Sequence, residues 1–214
     1  MAFGALLARK RVFLASVYAI LVAQIVLTSV VVAMLRARPA TQAQLKKYAL
    51  MWVVLAFGVL LVMGLVPMPM VAKLALFGVL GVLLGFVSIA ASAKVPIETV
   101  QVALAATVAI FAFMTVAGVG LAAMGVDLGF LGFALLIALF ALVVTSLLAA
   151  FVIPVSKGVH TAILGVTMAL FSVFVAFDTN VMLQKGYGGD AVDAATGLYL
   201  DALNIFNADV GLSA

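Results

Sequence analysis

The stretch Val175–Asp209, VAFDTNVMLQKGYGGDAVDAATGLYLDALNIFNAD, is the least expected part of this sequence. It contains five of the seven acidic residues of the chain, namely Asp178, Asp190, Asp193, Asp201 and Asp209. Asp178 lies near the end of one apolar run, and Asp201 lies in the middle of the next. A carboxylate in a strongly apolar segment is costly, so its presence there needs a physical explanation.

The composition around this stretch is that of an integral membrane protein. Hydrophobic residues make up 68% and charged residues 8% of the 214 positions, against roughly 45–50% and 25% in soluble domains. Spanning segments are helices or closed barrels, because lipid offers no hydrogen-bonding partners to the backbone. Barrel strands alternate apolar and polar residues, whereas the apolar runs here are continuous over about 20 positions. The sequence therefore predicts an all-α membrane bundle.

Seven apolar segments predict seven transmembrane helices in a single membrane domain, residues 1–214. The predicted helices are 12–35, 48–66, 74–92, 100–124, 130–153, 159–183 and 191–212. The polar segment 36–47 is predicted to be a loop. The last helix is long enough to span the membrane but rich in acids and amides, so we expect the other six helices to surround it.

Several polar or small residues have simple structural interpretations. Gly81 and Gly85 have the spacing that lets helix backbones approach closely, which predicts tight packing. Lys73 is expected to be a snorkelling anchor at the membrane surface. Asp127 lies in a turn and is expected to cap the fifth helix.

The residue inventory excludes several kinds of chemistry. The chain has no cysteine, which removes disulfides, thiolate metal sites and cysteine nucleophiles. The one histidine, His160, cannot build a zinc or haem site alone and is expected at the membrane interface. The net charge of +4 is spread over short clusters between apolar runs, which is typical of membrane anchors and not of a nucleic-acid surface. No enzyme and no cofactor are predicted.

Asp178 and Asp201 form the strongest candidate site. A short glycine-rich turn joins their helices, so we expect antiparallel neighbours with the two carboxylates at comparable depth. On the last helix Asp201 shares one face with Asp193, Gly197 and Asn204. This polar stripe is expected to face the protein interior or a wet cavity.

The pair has a distinctive chemistry if its members meet. Two carboxylates in a low-dielectric interior cannot both ionise cheaply, so they would share a proton and titrate as one unit. Such a pair can bind a cation when deprotonated and close the path when protonated. The alternative is that hydroxyls, backbone groups or the membrane surface satisfy each Asp separately.

The same stretch resembles the Bax inhibitor-1 (transmembrane Bax inhibitor motif) family, in its bacterial members. The resemblance rests on Phe177-Asp178-Thr179, Leu198-Tyr199-Leu200-Asp201, Asn204-Ile205-Phe206 and Val126-Asp127-Leu128. It implies a seven-helix fold with the last helix in the centre and a pH-sensitive calcium leak. It also implies that Asp178 and Asp201 are the dyad that senses protons and gates the pore.

The resemblance extends to ions, partners and location. Ca²⁺ is implied as the permeant ion, held transiently by Asp178 and Asp201, and H⁺ as the regulator. Asn204, Asp209 and Tyr199 are candidates for the ion path. The lipid bilayer and other membrane proteins are the expected partners, without nucleic acid. The expected location is the inner membrane of a bacterium, or an ER-type membrane in a eukaryote.

Two other classes of function stay open. One is a membrane interaction protein that regulates stress or proteolytic partners, and the other is a proton-coupled cation transporter. Family members often carry basic residues at the inner end of the second helix and near the C-terminus, and this chain has none at either place. A salt-bridge latch that holds the pore shut is therefore not expected.

Overall fold

The computed structural model describes residues 3–92 and 94–213, without the side chains of residues 3, 5–7, 9, 90, 91 and 186. Its α-helices are α1 (Phe3–Arg36), α2 (Pro39–Lys47), α3 (Ala49–Leu65), α4 (Met70–Ser92), α5 (Ile97–Ala123), α6 (Gly132–Phe151), α7 (Lys157–Gln184) and α8 (Ala191–Leu212). Short 3₁₀ turns occupy Leu128–Leu131 and Gly186–Gly189. All regular structure in these ranges is helical, which confirms the predicted all-α class.

Five helical segments among the described residues are long and apolar enough to cross a membrane. They are Lys10–Arg36, Met70–Ile89, Ile97–Ala123, Leu128–Phe151 and Lys157–Gln184. The pair α2 and α3 makes a sixth candidate, although its two helices meet at a bend of 72°. A multi-pass helical membrane protein is thereby confirmed, and the count of seven spans stays a prediction.

The predicted loop between the first two spans was wrong, because most of it is α2. Pro39 lies in the first turn of this helix, where its fixed φ suits the helix and an N–H would have no intrahelical acceptor. Leu45 is its buried residue. Gln42 donates from its amide to the carbonyl oxygens of Leu35 at 3.1 Å and Arg36 at 2.9 Å, which satisfies the end of α1. The polar composition of this segment therefore did not indicate the short helix α2, which buries one apolar side chain.

The chain forms two compact units, and the division falls within α8. The first unit comprises Met1–Val12, Val95–Gly189 and Leu200–Ala214, and the second comprises Phe13–Lys94 and Asp190–Tyr199. The first half of α8 thus belongs to the second unit and its other half to the first unit. Asp178 and Asp201 both belong to the first unit.

The second unit contains the closely packed glycine pair. Gly81 of α4 lies against Gln24 and Thr28 of α1, and Gly85 lies against Val31. A Cβ atom at Gly85 would stand 2.8 Å from a Val31 methyl carbon, closer than packed carbon atoms come. The Thr28 hydroxyl donates to the Gly81 carbonyl oxygen at 3.2 Å. The predicted tight packing at these two glycines is confirmed.

The first unit has its apolar core between α5, α6, α7 and α8. The core consists of Leu142, Phe171, Val175 and Ile205, with partly buried side chains of α5 and α6 packed against it. A second cluster joins Val95 and Ala103 to Val210 near the end of α8. These contacts align the second half of α8 with α5 and α7, the helix that carries the other candidate carboxylate.

Candidate functional site

Asp178 and Asp201 are brought together in the first unit. Asp178 lies on α7, six residues before its end at Gln184, and Asp201 lies in the middle of α8. Their exposed fractions are 8% and 4%, so both carboxyl groups are removed from bulk water. The two groups interact electrostatically with each other. Both carboxyl groups are therefore buried in the same unit and close enough to interact electrostatically.

The two carboxyl groups differ in their hydrogen bonding. The Tyr187 hydroxyl donates to the carboxylate of Asp178. Among the residues that the structure describes, no group donates to Oδ2 of Asp201, although this atom is buried. An unsatisfied buried polar group costs about 1–3 kcal/mol, and more when it is charged. Ionisation of Asp201 would therefore leave a buried charged oxygen without a hydrogen-bond donor among the described residues.

Asn180 fixes the turn of α7 that carries Asp178. It is fully buried, and its Oδ1 accepts a hydrogen bond from the Leu128 backbone N–H at 2.9 Å. Its amide nitrogen donates to the Val126 carbonyl oxygen at 2.9 Å. The Gln184 amide donates to the same carbonyl at 2.8 Å. Asn180 was not among the predicted site residues, although an amide within an apolar helix is as notable there as the acids are.

Helix α5 packs against the same turn of α7 at Gly118. A Cβ atom at this position would overlap the carbonyl oxygen of Ala176 and stand 3.0 Å from Cβ of Thr179. Glycine is thus required for the close approach of α5 to α7. Thr179 is buried, and its hydroxyl finds no hydrogen-bond partner within the described part of the chain. It adds a polar atom next to Asp178 in sequence.

The turn after α7 has an uncommon backbone. Tyr187, Gly188 and Gly189 have φ values of 47°, 62° and 87°, all in the left-handed region. Glycine enters this region freely, whereas for other L-residues it costs roughly 1–2 kcal/mol. The sequence predicted only a glycine-rich turn here, and Tyr187 was not identified as a site residue because its φ angle cannot be inferred from composition.

The three residues predicted for the ion path lie in different surroundings. The Asn204 amide donates to the Leu200 carbonyl of its own helix at 2.8 Å. Oδ2 of Asp209 is buried and has no hydrogen-bond partner among the described residues. Tyr199 belongs to the second unit, where its hydroxyl lies 2.7 Å from the Thr28 hydroxyl. Asp209 therefore resembles Asp201, since it lies in the same unit and has a buried oxygen without a described partner. Tyr199 differs from Asp201 in both respects.

The remaining acids of the opening stretch belong to the second unit. Lys73 Nζ lies 2.6 Å from carboxylate oxygens of both Asp190 and Asp193, so it is an ion-pair partner as well as a residue at a helix start. Asp190 also accepts backbone hydrogen bonds from Val192 and Asp193, which caps α8. Burial alone would raise the pKa of Asp190, but the hydrogen bonds from Lys73 and the backbone outweigh it and hold the pKa below its usual value.

Asp127 caps the 3₁₀ turn that leads into α6. Its carboxylate accepts a hydrogen bond from the Gly129 N–H at 2.7 Å and lies 3.3 Å from Lys185 Nζ. The Gly129 hydrogen bond, with a further contribution from Lys185, lowers the pKa of Asp127. The predicted capping role is confirmed, with the 3₁₀ turn as the element that is capped.

The acids do not form a tight metal centre. No group of three or more His, Cys, Asp or Glu residues within the described ranges is arranged to hold a metal ion. Ca²⁺ prefers six to eight oxygen ligands, so two carboxylates suit a passing ion better than a resident one.

Comparison with known proteins gives the family. The family model described as "Inhibitor of apoptosis-promoting Bax1" matches residues 10–208. Two Helicobacter pylori proteins, one from each of two strains and both with the name "Uncharacterized protein", are 41% identical to this chain over 80 residues. That stretch is 37% of this chain and 34% of either relative, so the similarity spans about a third of their length. Because the family model covers nearly the whole chain, the protein belongs to the Bax inhibitor family of multi-pass membrane proteins.

Proposed function

We propose that this protein is a pH-sensitive, calcium-permeable leak channel gated by protonation of Asp178 and Asp201. The observation that carries the proposal is the burial of two interacting carboxyl groups in one unit of a membrane protein, where Oδ2 of Asp201 has no hydrogen-bond partner in the described part of the chain. A charged residue at the centre of a spanning helix costs roughly 2.5–3.5 kcal/mol on insertion scales. Ionisable groups in such positions usually serve transport or sensing.

The chemistry of the pair provides a gate. When the pair holds a proton, one carboxyl group is neutral and can donate a hydrogen bond to the other, so the site has little attraction for a divalent cation. When that proton leaves, two like charges face each other in a low dielectric, and a cation between them relieves the repulsion. Entry of Ca²⁺ is thus linked to release of H⁺, and acidification closes the path.

The proposed channel has seven spans, with α2 and α3 together as one of them and α8 as the last, in the centre. The support for a central α8 is the set of buried residues that it carries from Ala191 to Val210. Seven of its hydrophobic residues are at most 1% exposed: Val192, Ala194, Ala195, Leu198, Tyr199, Ile205 and Ala208. A lipid-facing helix would instead expose one apolar face, as α6 does with Phe133 and Phe140.

Asp209 continues the proposed ion path towards the end of α8. It lies eight residues after Asp201, which is about 12 Å along a helix axis. Like Oδ2 of Asp201, its Oδ2 is buried without a hydrogen-bond partner among the described residues, and so are the hydroxyls of Thr107 and Thr115 on α5. These oxygens provide polar positions for a hydrated cation in the first unit. Asn204 and Tyr199 stay candidates with less support, because their polar groups have partners.

The proposal requires no resident cofactor, with Ca²⁺ as the permeant ion and H⁺ as the regulator. The proposed location is the inner membrane of a bacterium, with lipid as the main partner. If the chain itself moves no ions, the alternative is that it acts through partner membrane proteins.

The test is calcium flux into proteoliposomes over a range of pH. Wild-type protein should carry flux that falls on acidification, and the Asp178→Asn/Asp201→Asn double variant should lose that pH dependence. Asp127→Asn is the matched control, because it removes an exposed carboxylate that is paired with Lys185. Identical pH profiles for wild type and double variant would sink the gating mechanism. Absence of flux in all of them would favour an interaction protein, and proton movement that needs a co-substrate would favour a transporter.

A further inference from the structure

An apolar groove between α5 and α7 lies apart from the candidate carboxylate site. Its volume is about 430 Å³, within the range of about 300–1,000 Å³ that is usual for ligand sites. The residues that line it include Ile110, Phe113 and Met114 of α5 and Gly165, Met168 and Ala169 of α7. All of them belong to the first unit. Both helices are long and apolar enough to cross a membrane, so a groove open at their surface is in contact with lipid.

The chain itself leaves the space in this groove unfilled. A Cβ atom at Gly165 would meet no other part of the described chain within 4 Å, so glycine is not required there for a close helix contact as it is at Gly118. The Phe113 side chain is 72% exposed, which shows that the groove is open. Met114 and Met168 contribute flexible thioether side chains, which adapt to irregular apolar ligands. Such a lining suits a flexible hydrocarbon chain.

Helices α5 and α7 run parallel to each other. Residues between 109 and 114 of α5 share the groove with residues between 165 and 172 of α7, and further along both helices Gly118 lies against Ala176. Both helices therefore begin at the same membrane surface.

Each of the two helix starts carries an exposed charged side chain, Glu98 on α5 and Lys157 on α7. Lys157 shares one face of α7 with Gly165, Met168 and Ser172, which recur at i, i+8, i+11 and i+15. Gly165 and Ser172 lie about 12 Å and 22 Å along the helix axis from Lys157. Half of a bilayer is about 20–22 Å thick with its headgroups, of which about 15 Å is hydrocarbon. A lipid with its phosphate beside Lys157 would therefore have its acyl chain at the level of the groove.

We propose that the groove between α5 and α7 binds one zwitterionic phospholipid. Its acyl chain lies along Met114 and Met168, its phosphate lies at Lys157 and its amine at Glu98. The lysine ammonium attracts the phosphate, and the carboxylate attracts the amine. An anionic lipid without an amine would be repelled by Glu98. This lipid site is independent of the proposed gate, since it uses neither of the two buried carboxyl groups.

Native mass spectrometry of the full-length protein in detergent measures the binding. Wild type should retain one phosphatidylethanolamine per chain, more tightly than phosphatidylglycerol, which carries no amine. Gly165→Leu places a side chain in the groove and should weaken this binding about tenfold or more. Ala169→Phe fills the groove from an exposed position and replaces Gly165→Leu if that variant does not fold. The matched control is Gly120→Leu, because a Cβ atom at Gly120 also meets nothing within 4 Å. Equal binding by the groove variant and this control would overturn the proposal.

The two charged residues test the choice of headgroup. Lys157→Gln should weaken the binding of both lipids about fivefold, the effect expected for one basic residue near an anionic headgroup. Glu98→Gln should weaken the binding of phosphatidylethanolamine alone and remove its advantage over phosphatidylglycerol. Lys46→Gln, at an exposed position of the second unit, should change neither. A wild-type preference for phosphatidylglycerol would contradict a zwitterionic ligand.

A phosphatidylethanolamine with a photoreactive diazirine in its acyl chain locates the lipid in proteoliposomes. Crosslinks should concentrate on Met114 and Met168 and be fewer on Phe133 and Phe140, which are exposed on α6. Equal labelling of the two sets would show ordinary surrounding lipid and overturn the proposal. A disulfide-linked dimer of Ala169→Cys, in a chain that otherwise has no cysteine, would overturn it as well, because a second copy would then cover the groove.

Discussion

Asp178 and Asp201 interact electrostatically, but Tyr187 donates its hydrogen bond to Asp178, and Oδ2 of Asp201 is buried without a hydrogen-bond partner among the described residues. The pair is therefore asymmetric. Ionisation is therefore expected to cost less at Asp178 than at Asp201. Substitutions at the two positions are therefore expected to have unequal effects on stability.

Asp201→Asn should stabilise the fold at alkaline pH. It removes a buried charge without a full set of hydrogen bonds and relieves the repulsion from Asp178, an effect of about 1–3 kcal/mol. The gain in thermal unfolding temperature in detergent should be larger at pH 8 than at pH 5, because the pair already holds a proton in acid. Asp127→Asn, at an exposed carboxylate, should give no such gain. A destabilised Asp201→Asn protein at pH 8 would contradict the view that the buried charge of Asp201 destabilises the fold.

Gly118→Ala should destabilise the protein because the added methyl group would overlap the Ala176 carbonyl oxygen on α7. Overpacking of this kind costs about 1–3 kcal/mol. The matched control is Gly120→Ala on the same helix, where a Cβ atom would meet nothing within 4 Å. Thermal unfolding of the two variants in the same detergent makes the comparison. Equal unfolding temperatures would show that α5 and α7 do not require this close contact.

Asn180→Leu should weaken the end of α7. The substitution leaves the Leu128 N–H and the Val126 carbonyl without the Asn180 side chain, and an unsatisfied buried group costs about 1–3 kcal/mol. Gln184→Leu removes a more exposed hydrogen bond to Val126 and should cost less than about 1 kcal/mol. Hydrogen exchange of the Leu128 amide measures the effect locally. Unchanged protection of that amide in Asn180→Leu would refute the stabilising role of the Asn180 hydrogen bonds.

Lys73→Gln should reduce the loss of stability in acid. The pKa of Asp190 is lowered in the folded protein, so its contribution is complete above the unfolded value of about 3.9 and is lost as the pH falls through the folded value. Without Lys73 the ionised Asp190 contributes less stability, so acid removes less. The unfolding temperature should therefore fall less between pH 5 and pH 3 than in wild type. The effect is modest, because the Asp190 side chain is 36% exposed. Lys157→Gln, at an exposed position at the start of α7, should follow wild type.

Much of the architecture could be predicted from the apolar runs alone, since lipid requires continuous hydrophobic helices. The burial of Asp178 and Asp201 on two helices joined by a short turn could be predicted too, because both fall within apolar segments, whereas their role in gating stays a prediction. Helix α2 could not, as its polar composition is also that of a loop. The hydrogen bond of Tyr187 to Asp178 could not be predicted, because it depends on a left-handed backbone angle at Tyr187. Asn180 escaped because its partners, Val126 and Leu128, are distant in sequence.

The most direct test of the account is one titration in which carboxyl protonation and calcium flux are recorded on the same wild-type proteoliposomes. The gating proposal predicts that the infrared carboxyl band of Asp178 and Asp201 appears over the same pH range in which flux is lost, with coincident midpoints. It also predicts that both transitions vanish in Asp178→Asn/Asp201→Asn. Flux that stays constant while the band appears, or that keeps its pH dependence in the double variant, would contradict the claim that this pair is the gate.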